Sequence, residues 1–126
     1  MIPHILFVDD DEAIRKTLSE YLKSKGMDVS TAESGEEAMR LMQGTSFNLV
    51  ILDLNLGKES GLDILDHFKM LNPSLPVIIF TSQGDDLDPL TEALAKGATG
   101  YLNKSESVDI LINEIQRALQ VGSSVR

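Results

Sequence analysis

Five times along the chain a short apolar run gives way to an amphipathic segment, and this alternation restricts the possible folds more than any other feature. The runs are Ile5 to Val8, Met27 to Thr31, Leu49 to Leu52, Val77 to Phe80 and Thr99 to Leu102. The first, third and fourth are continuously apolar, as parallel strands covered on both faces must be. The second alternates apolar and polar residues, as an edge strand does. Between the runs the apolar spacing lengthens to three and four. One stripe joins Ile14, Leu18, Tyr21 and Leu22, and another Ala38, Leu41 and Met42. Ile64, Leu65, Phe68 and Leu71 follow, then Leu87, Leu90 and Leu94, then Val108, Leu111, Ile112, Ile115 and Leu119. Such stripes bury one side of a helix.

The punctuation agrees. Ser34-Gly35-Glu36-Glu37 reads as a capping box, and Asp11 as an N-cap favoured by the helix dipole. Gly26, Gly44 and Gly97 stand where helices stop. Asn72-Pro73 and Leu75-Pro76 break the chain before the fourth run. Five βα units in succession predict a parallel sheet with right-handed crossovers and helices on both faces. The expected fold class is α/β: a doubly wound, flavodoxin-like, five-stranded sheet of order 2-1-3-4-5. One domain is expected over residues 1–120, with 121–126 as a frayed C-terminal tail or the start of a linker.

Composition narrows the function. A net charge of -9 argues against gripping a phosphate backbone directly and suits cations or basic partners. The absence of cysteine excludes disulfides, thiolate metal sites and cysteine nucleophiles. The apolar runs are too short to cross a bilayer, and the N-terminus lacks a signal-peptide pattern. A cytoplasmic location is the expectation.

Ligands of open parallel sheets gather outside the carboxyl ends of the strands. The first run ends in Asp9 and Asp10, the third in Asp53, the fourth in Thr81, and the fifth leads to Lys104. With the first and third strands adjacent, the three aspartates converge and repel one another unless a cation answers them. Carboxylate oxygens favour a hard divalent ion, and Mg²⁺ is the expected one. Asp53 is then placed to attack phosphorus, with Thr81 donating to a phosphoryl oxygen and Lys104 neutralising another. Singly, each residue has a plain structural explanation; together, at the correct strand ends, they indicate a site. His4 and His67 are given no role.

These residues resemble the response-regulator receiver domain, the phosphoryl-accepting module of two-component signalling, over about Ile5 to Leu119. "ILFVDDDEAIR" is similar to the family's first strand and acidic pair, here Asp9 and Asp10. "LVILDLNLGKESGLDIL" is similar to the phosphoacceptor segment, with Asp53 as acceptor and the Asn55 backbone carbonyl as a metal ligand. "VIIFTSQ" supplies the switch hydroxyl, Thr81, and "GATGYLNK" the switch aromatic, Tyr101, and the lysine, Lys104. The resemblance implies Mg²⁺-dependent transfer from a phosphohistidine of a sensor histidine kinase or histidine phosphotransfer protein to Asp53. It implies a Thr81/Tyr101 relay to the face made by helix four, strand five and helix five, and later hydrolysis of the acyl phosphate. It further implies a switch and not a turnover enzyme, no nucleic-acid contact by this domain, no membrane, and a homodimer through helices four and five.

Some positions depart from the family pattern. Leu56 and Gly57 replace a frequent Met-Pro, and with Lys58, Glu59 and Ser60 they suggest a looser loop after Asp53. Ser82 follows Thr81 where Ala is common. Ser105 stands where a proline usually follows the lysine; a cis bond there would cost about 2.5–4 kcal/mol, so a trans bond is expected. "GYLNKS" resembles receivers joined to a helix-turn-helix output domain, so the chain fits both a stand-alone receiver and a piece of a longer regulator. The alternative is a haloacid dehalogenase-type Mg²⁺ phosphatase, which needs an acid where Asn55 stands. A flavodoxin-like FMN carrier would need a phosphate loop in place of "DDDEA". A receiver that binds partners without phosphorylation is disfavoured by the retained Asp9, Asp10, Asp53, Thr81 and Lys104.

Overall fold

The computed structural model describes residues 2–82 and 87–124, the side chains of 87–88 and 121–124 excepted. Strands β1 (His4–Val8), β2 (Asp28–Ala32), β3 (Leu49–Leu52), β6 (Val77–Thr81) and β7 (Gly100–Asn103) form one parallel sheet in the order β2-β1-β3-β6-β7. This is the expected 2-1-3-4-5 order, renumbered because a short antiparallel hairpin, β4 (Asn55–Leu56) and β5 (Glu59–Ser60), is inserted after β3. Helices α1 (Glu12–Ser24), α2 (Gly35–Gly44), α3 (Gly61–Leu71), α4 (Leu87–Ala95) and α5 (Val108–Ser124) connect the strands. None of the described helices is long and apolar enough to cross a membrane.

Alternation along the strands divides the core in two. Leu6, Val8, Val50, Leu52, Val77 and Ile79 face α2, α3 and α4, joined by Ala38, Leu65, Phe68 and Ala93. Ile5, Phe7, Leu49, Ile51 and Ile78 face α1 and α5, joined by Leu18, Leu22, Leu111 and Ile115. Burying each large aliphatic or aromatic side chain contributes about 1.5–3 kcal/mol. Both faces of β1, β3 and β6 are therefore sealed, and only the strand ends meet solvent.

The local signals act as their chemistry requires. Asp11 accepts from the Ile14 amide as N-cap of α1. Ser34 accepts from the Glu37 amide, while Glu37 reaches back to the Glu33 amide instead of the Ser34 amide of a standard capping box. His4 has a structural role, pairing with Ser30 and packing its ring on Phe47. His67 is exposed on α3. Three apolar-stripe positions differ from expectation: Leu71 is 57% exposed, Leu94 50% and Val108 38%. Leu71 and Val108 sit at helix ends, beyond the cover of the sheet. On α4 the neighbouring Ala93 is the buried residue. The Leu87 side chain lies outside the described residues. Helix α5 continues to Ser124, so residues 121–124 extend the helix where a frayed tail was expected; residues 125–126 lie outside the description.

Candidate functional site

The parallel ladder itself carries the acidic residues to one edge. Val8 and Leu52 are register partners, and one step further the Asp53 amide donates to the Val8 carbonyl. The Asp9 amide likewise donates to Ala32 of β2. On the other side of β3 the Lys104 amide donates to the Thr81 carbonyl, extending the β6–β7 pairing. Asp9, Asp53, Thr81 and Lys104 are thus held by backbone hydrogen bonds on rigid strand ends.

The expected convergence of Asp9, Asp10 and Asp53 is present: one carboxylate oxygen from each lies within 4.8 Å of the others. Asp9 is fully buried, Asp53 is 4% exposed and Asp10 is open to solvent. Lys104 Nζ lies 2.6 Å from Asp9 Oδ2 and 2.7 Å from Asp53 Oδ2, so a single ammonium bridges both buried carboxylates. The remaining oxygens are held locally: Asp9 Oδ1 accepts from the Asp11 amide and Asp53 Oδ1 from the Asn55 amide. Asp10 has no ion-pair partner among the described residues.

Burial pushes the Asp9 carboxyl above its usual range, and the bonds from Lys104 and the Asp11 amide oppose the rise without cancelling it. For Lys104, burial disfavours the charge, but the bonds and attraction from Asp53 and Asp9 outweigh it and its pKa goes up. Three carboxylates face one ammonium, leaving two charges uncompensated when all are ionised. Two is the charge of a divalent cation, and an all-oxygen donor set suits Mg²⁺. The residues present therefore fit such an ion: the Asp9, Asp10 and Asp53 carboxylates supply the oxygens.

Thr81 is fully buried, and its hydroxyl has no hydrogen-bond partner among the described residues. A buried hydroxyl without a partner costs free energy, so a native one calls for an explanation. Tyr101, paired in register with Ile79, is half-buried against the core on the α4 side of the sheet. All peptide bonds in the described chain are trans, as expected at Lys104-Ser105.

Two features escaped the sequence reading. Arg15 Nη1 donates to the Asp9 carbonyl at 2.6 Å, fastening α1 to the strand end. Its only signal was a cation in the first helix after the acidic run. The segment after Asp53 is a paired hairpin and not the looser loop expected. Gly57, at φ +64°, opens a two-residue turn with Lys58, and Leu56 and Glu59 pair across it. Glycine at the first turn position is a hairpin signal in its own right. Gly61 is required for a different reason. A Cβ there would lie 2.4 Å from Leu54 Cα and 2.8 Å from the Asp53 carbonyl oxygen, so only glycine lets α3 start this close to the end of β3.

A family model described as response regulator receiver domain matches residues 5–116. The transcriptional regulatory protein GlrR of Escherichia coli (strain K12) is 36% identical over 93% of this chain and 26% of its own length. The cell cycle transcriptional regulator CtrA of Caulobacter vibrioides is 32% identical over 92% of this chain and 50% of its own. The chain thus spans a quarter to a half of these curated relatives. Among solved structures, a CheY-like receiver domain protein from Methanospirillum hungatei JF-1 superposes with a TM-score of 0.93 at 27% identity, covering 98% of each chain. A receiver domain protein from Clostridium thermocellum gives 0.91 at 33% identity, covering 99% of this chain and 100% of its own.

Proposed function

The chain belongs to the response regulator receiver domain family of two-component systems, and from that premise we propose that it is a phosphoryl-accepting switch with Asp53 as acceptor. The observation that carries the proposal is the bridged pair: a nearly buried Asp53 carboxylate, hydrogen-bonded to Lys104, beside Asp9 and Asp10. A sensor histidine kinase or histidine phosphotransfer protein supplies the phosphoryl group. An apolar groove between α1 and α5, lined by Ile14, Leu18, Tyr21, Phe80 and Val108 together with Lys104, supports docking of an apolar helix face near the acceptor.

The chain's own groups have separable tasks. Asp53 attacks phosphorus with a carboxylate oxygen, and the bond from phosphorus to the donor histidine breaks. Asp9, Asp10, Asp53 and the Asn55 carbonyl would hold Mg²⁺, which supplies charge neutralisation for the phosphoryl oxygens. Lys104, released from its carboxylate contact, pairs with a phosphoryl oxygen. The unpartnered Thr81 hydroxyl donates to another, which explains why a buried hydroxyl is kept without a partner. The new group adds about 1.5 to 2 negative charges. Movement of Thr81 then biases the packing of the half-buried Tyr101, and the α4–β7–α5 face changes with it as a shift between two packings. The exposed Leu94 and Ile110 on α4 and α5 support that face as the surface read by a partner or a second copy. Water hydrolyses the acyl phosphate and resets the domain; turnover on separate substrates is no part of this function. An acid two residues beyond Asp53, which the phosphatase alternative needs, is lacking because Asn55 stands there. We place the protein in the cytoplasm, where such kinases present their phosphohistidines.

Incubation with acetyl phosphate and Mg²⁺ tests the reading. Intact mass should rise by one phosphoryl group, and Asp53→Asn should abolish the gain. Labelling of Asp53→Asn at the wild-type rate would place the acceptor elsewhere, and sustained release of phosphate from varied esters would favour the phosphatase.

A further inference from the structure

The hairpin that follows the acceptor is fastened at a point remote from the site. Glu59 Oε1 accepts from the Gly35 amide at 2.9 Å, joining residues 24 positions apart. Gly35 is the first residue of α2, and its amide is one of the orphan donors of a helix start. The N-cap Ser34 serves the Glu37 amide, so the Gly35 amide depends on Glu59. A carboxylate is also the favoured charge at that end of the helix dipole. Gly35 is buried, and a Cβ on it would lie 2.5 Å from Ile64 Cδ1 and 3.1 Å from Glu59 Oε2. The absent side chain is what allows hairpin, α2 and α3 to meet.

At its other end the same hairpin borders the carboxylates. Asn55 begins it, and the Asn55 amide donates to Asp53 Oδ1. A Cβ on Gly57, in the turn, would lie 3.9 Å from Asp10 Oδ2. Leu56, 4% exposed, anchors the first strand of the hairpin in the core, and its register partner is Glu59. The Glu59 contact to α2 therefore closes a loop of constraints running from α2 through the hairpin to the acidic cluster.

We infer that Glu59 is a positioning residue: its bond to the α2 N-terminus holds the Asn55–Ser60 hairpin against the acidic cluster and so sets the affinity of the site for Mg²⁺. Glu59 lies outside the carboxylate cluster; its side chain bonds the Gly35 amide and its register partner is Leu56. Its effect passes through the backbone that presents Asn55. This inference rests on the phosphoacceptor reading only in calling the cluster a Mg²⁺ site.

The test measures Mg²⁺ binding directly, by calorimetry on the unphosphorylated full chain, for wild type, Glu59→Ala and Glu59→Gln. Glu59→Ala should weaken binding by about tenfold, the lower end of what losing an outer-shell partner costs a metal site. Glu59→Gln keeps an acceptor oxygen for the Gly35 amide and should stay within about twofold of wild type. Amide hydrogen exchange at residues 55–60 and at Gly35 should quicken in the Ala variant and not in the Gln variant. If Glu59→Ala melts earlier yet binds Mg²⁺ like wild type, the residue is only a structural tie and the inference falls. If Glu59→Gln is as weak as Glu59→Ala, charge and not the latch is responsible, and it falls equally. Should Glu59→Ala fail to fold, the Gln variant and Glu59→Asp, too short to span the same distance, give the same contrast. Failure of wild type to gain a phosphoryl group while it still binds Mg²⁺ would overturn the acceptor role and leave the latch standing.

Discussion

Replacing Lys104 by methionine removes the ammonium that bridges Asp9 and Asp53 while keeping much of the side-chain volume. Breaking a buried ion pair from one side costs about 3–5 kcal/mol, because the abandoned charge stays buried. The Lys104 side chain is 17% exposed, which places the cost at the lower end, about 3 kcal/mol. In urea, with a slope of about 1–3 kcal/mol per molar, the midpoint should fall by at least about 1 M. The chain has no tryptophan, so far-UV circular dichroism in EDTA at pH 7.5 is the suitable readout. Direction with pH follows from the shifts. The folded Asp9 pKa lies above its unfolded value, so its penalty is absent below the unfolded value, grows between the two and is complete above the folded pKa. Removing Lys104 enlarges that penalty, and the gap between variant and wild type should narrow on acidification from pH 7 toward 4. In wild type the raised Lys104 pKa acts in the same direction with pH at a higher range: its contribution is complete below 10.5 and is lost as pH rises through the folded value. Mg²⁺ at about one hundred times its dissociation constant should return about 2.7 kcal/mol to the variant. A midpoint in EDTA within about 0.3 M of wild type, equivalent to under about 1 kcal/mol, would refute the claim that this ammonium is the main compensation for two buried carboxylates.

Two further substitutions test the metal ligands and the start of α3. Asp10→Ala should weaken Mg²⁺ binding by about tenfold or more in calorimetry, as expected for losing a ligand. It should change the urea midpoint little, because Asp10 is exposed and unpaired among the described residues; an unchanged affinity would remove it from the metal set. Gly61→Ala should cost about 1–3 kcal/mol through the clash with Leu54 and the Asp53 carbonyl and should slow acetyl phosphate labelling. Wild-type stability and labelling in that variant would show that the α3 start yields without disturbing the acceptor.

The sheet was legible because strands covered on both faces must be continuously apolar. Leu49–Leu52 and Val77–Phe80 announce themselves by composition alone, and the βα alternation leaves few topologies. The helix starts were legible because caps act over three or four residues, as Asp11 and Ser34 do. Helix exposure was less so: periodicity marks Leu71 and Leu94 as apolar-stripe positions but says nothing of where the sheet ends beneath them. The hairpin after Asp53 is less legible, because Gly57 marks a tight turn while the bond that ties the hairpin to α2, from the Gly35 amide to Glu59, spans 24 positions.

By itself, the chain's order of residues determined the parallel sheet and which side chains arrive at its carboxyl edge, because backbone periodicity and strand polarity are local properties that accumulate along the chain. Only the tertiary structure decided how those groups share charge. That one ammonium spans Asp9 and Asp53, that Arg15 grips the Asp9 carbonyl, and that Thr81 is buried without a partner among the described residues depend on distances between elements. Electrostatic and hydrogen-bond energies change over a few ångströms, and no spacing along the chain encodes separations that fine.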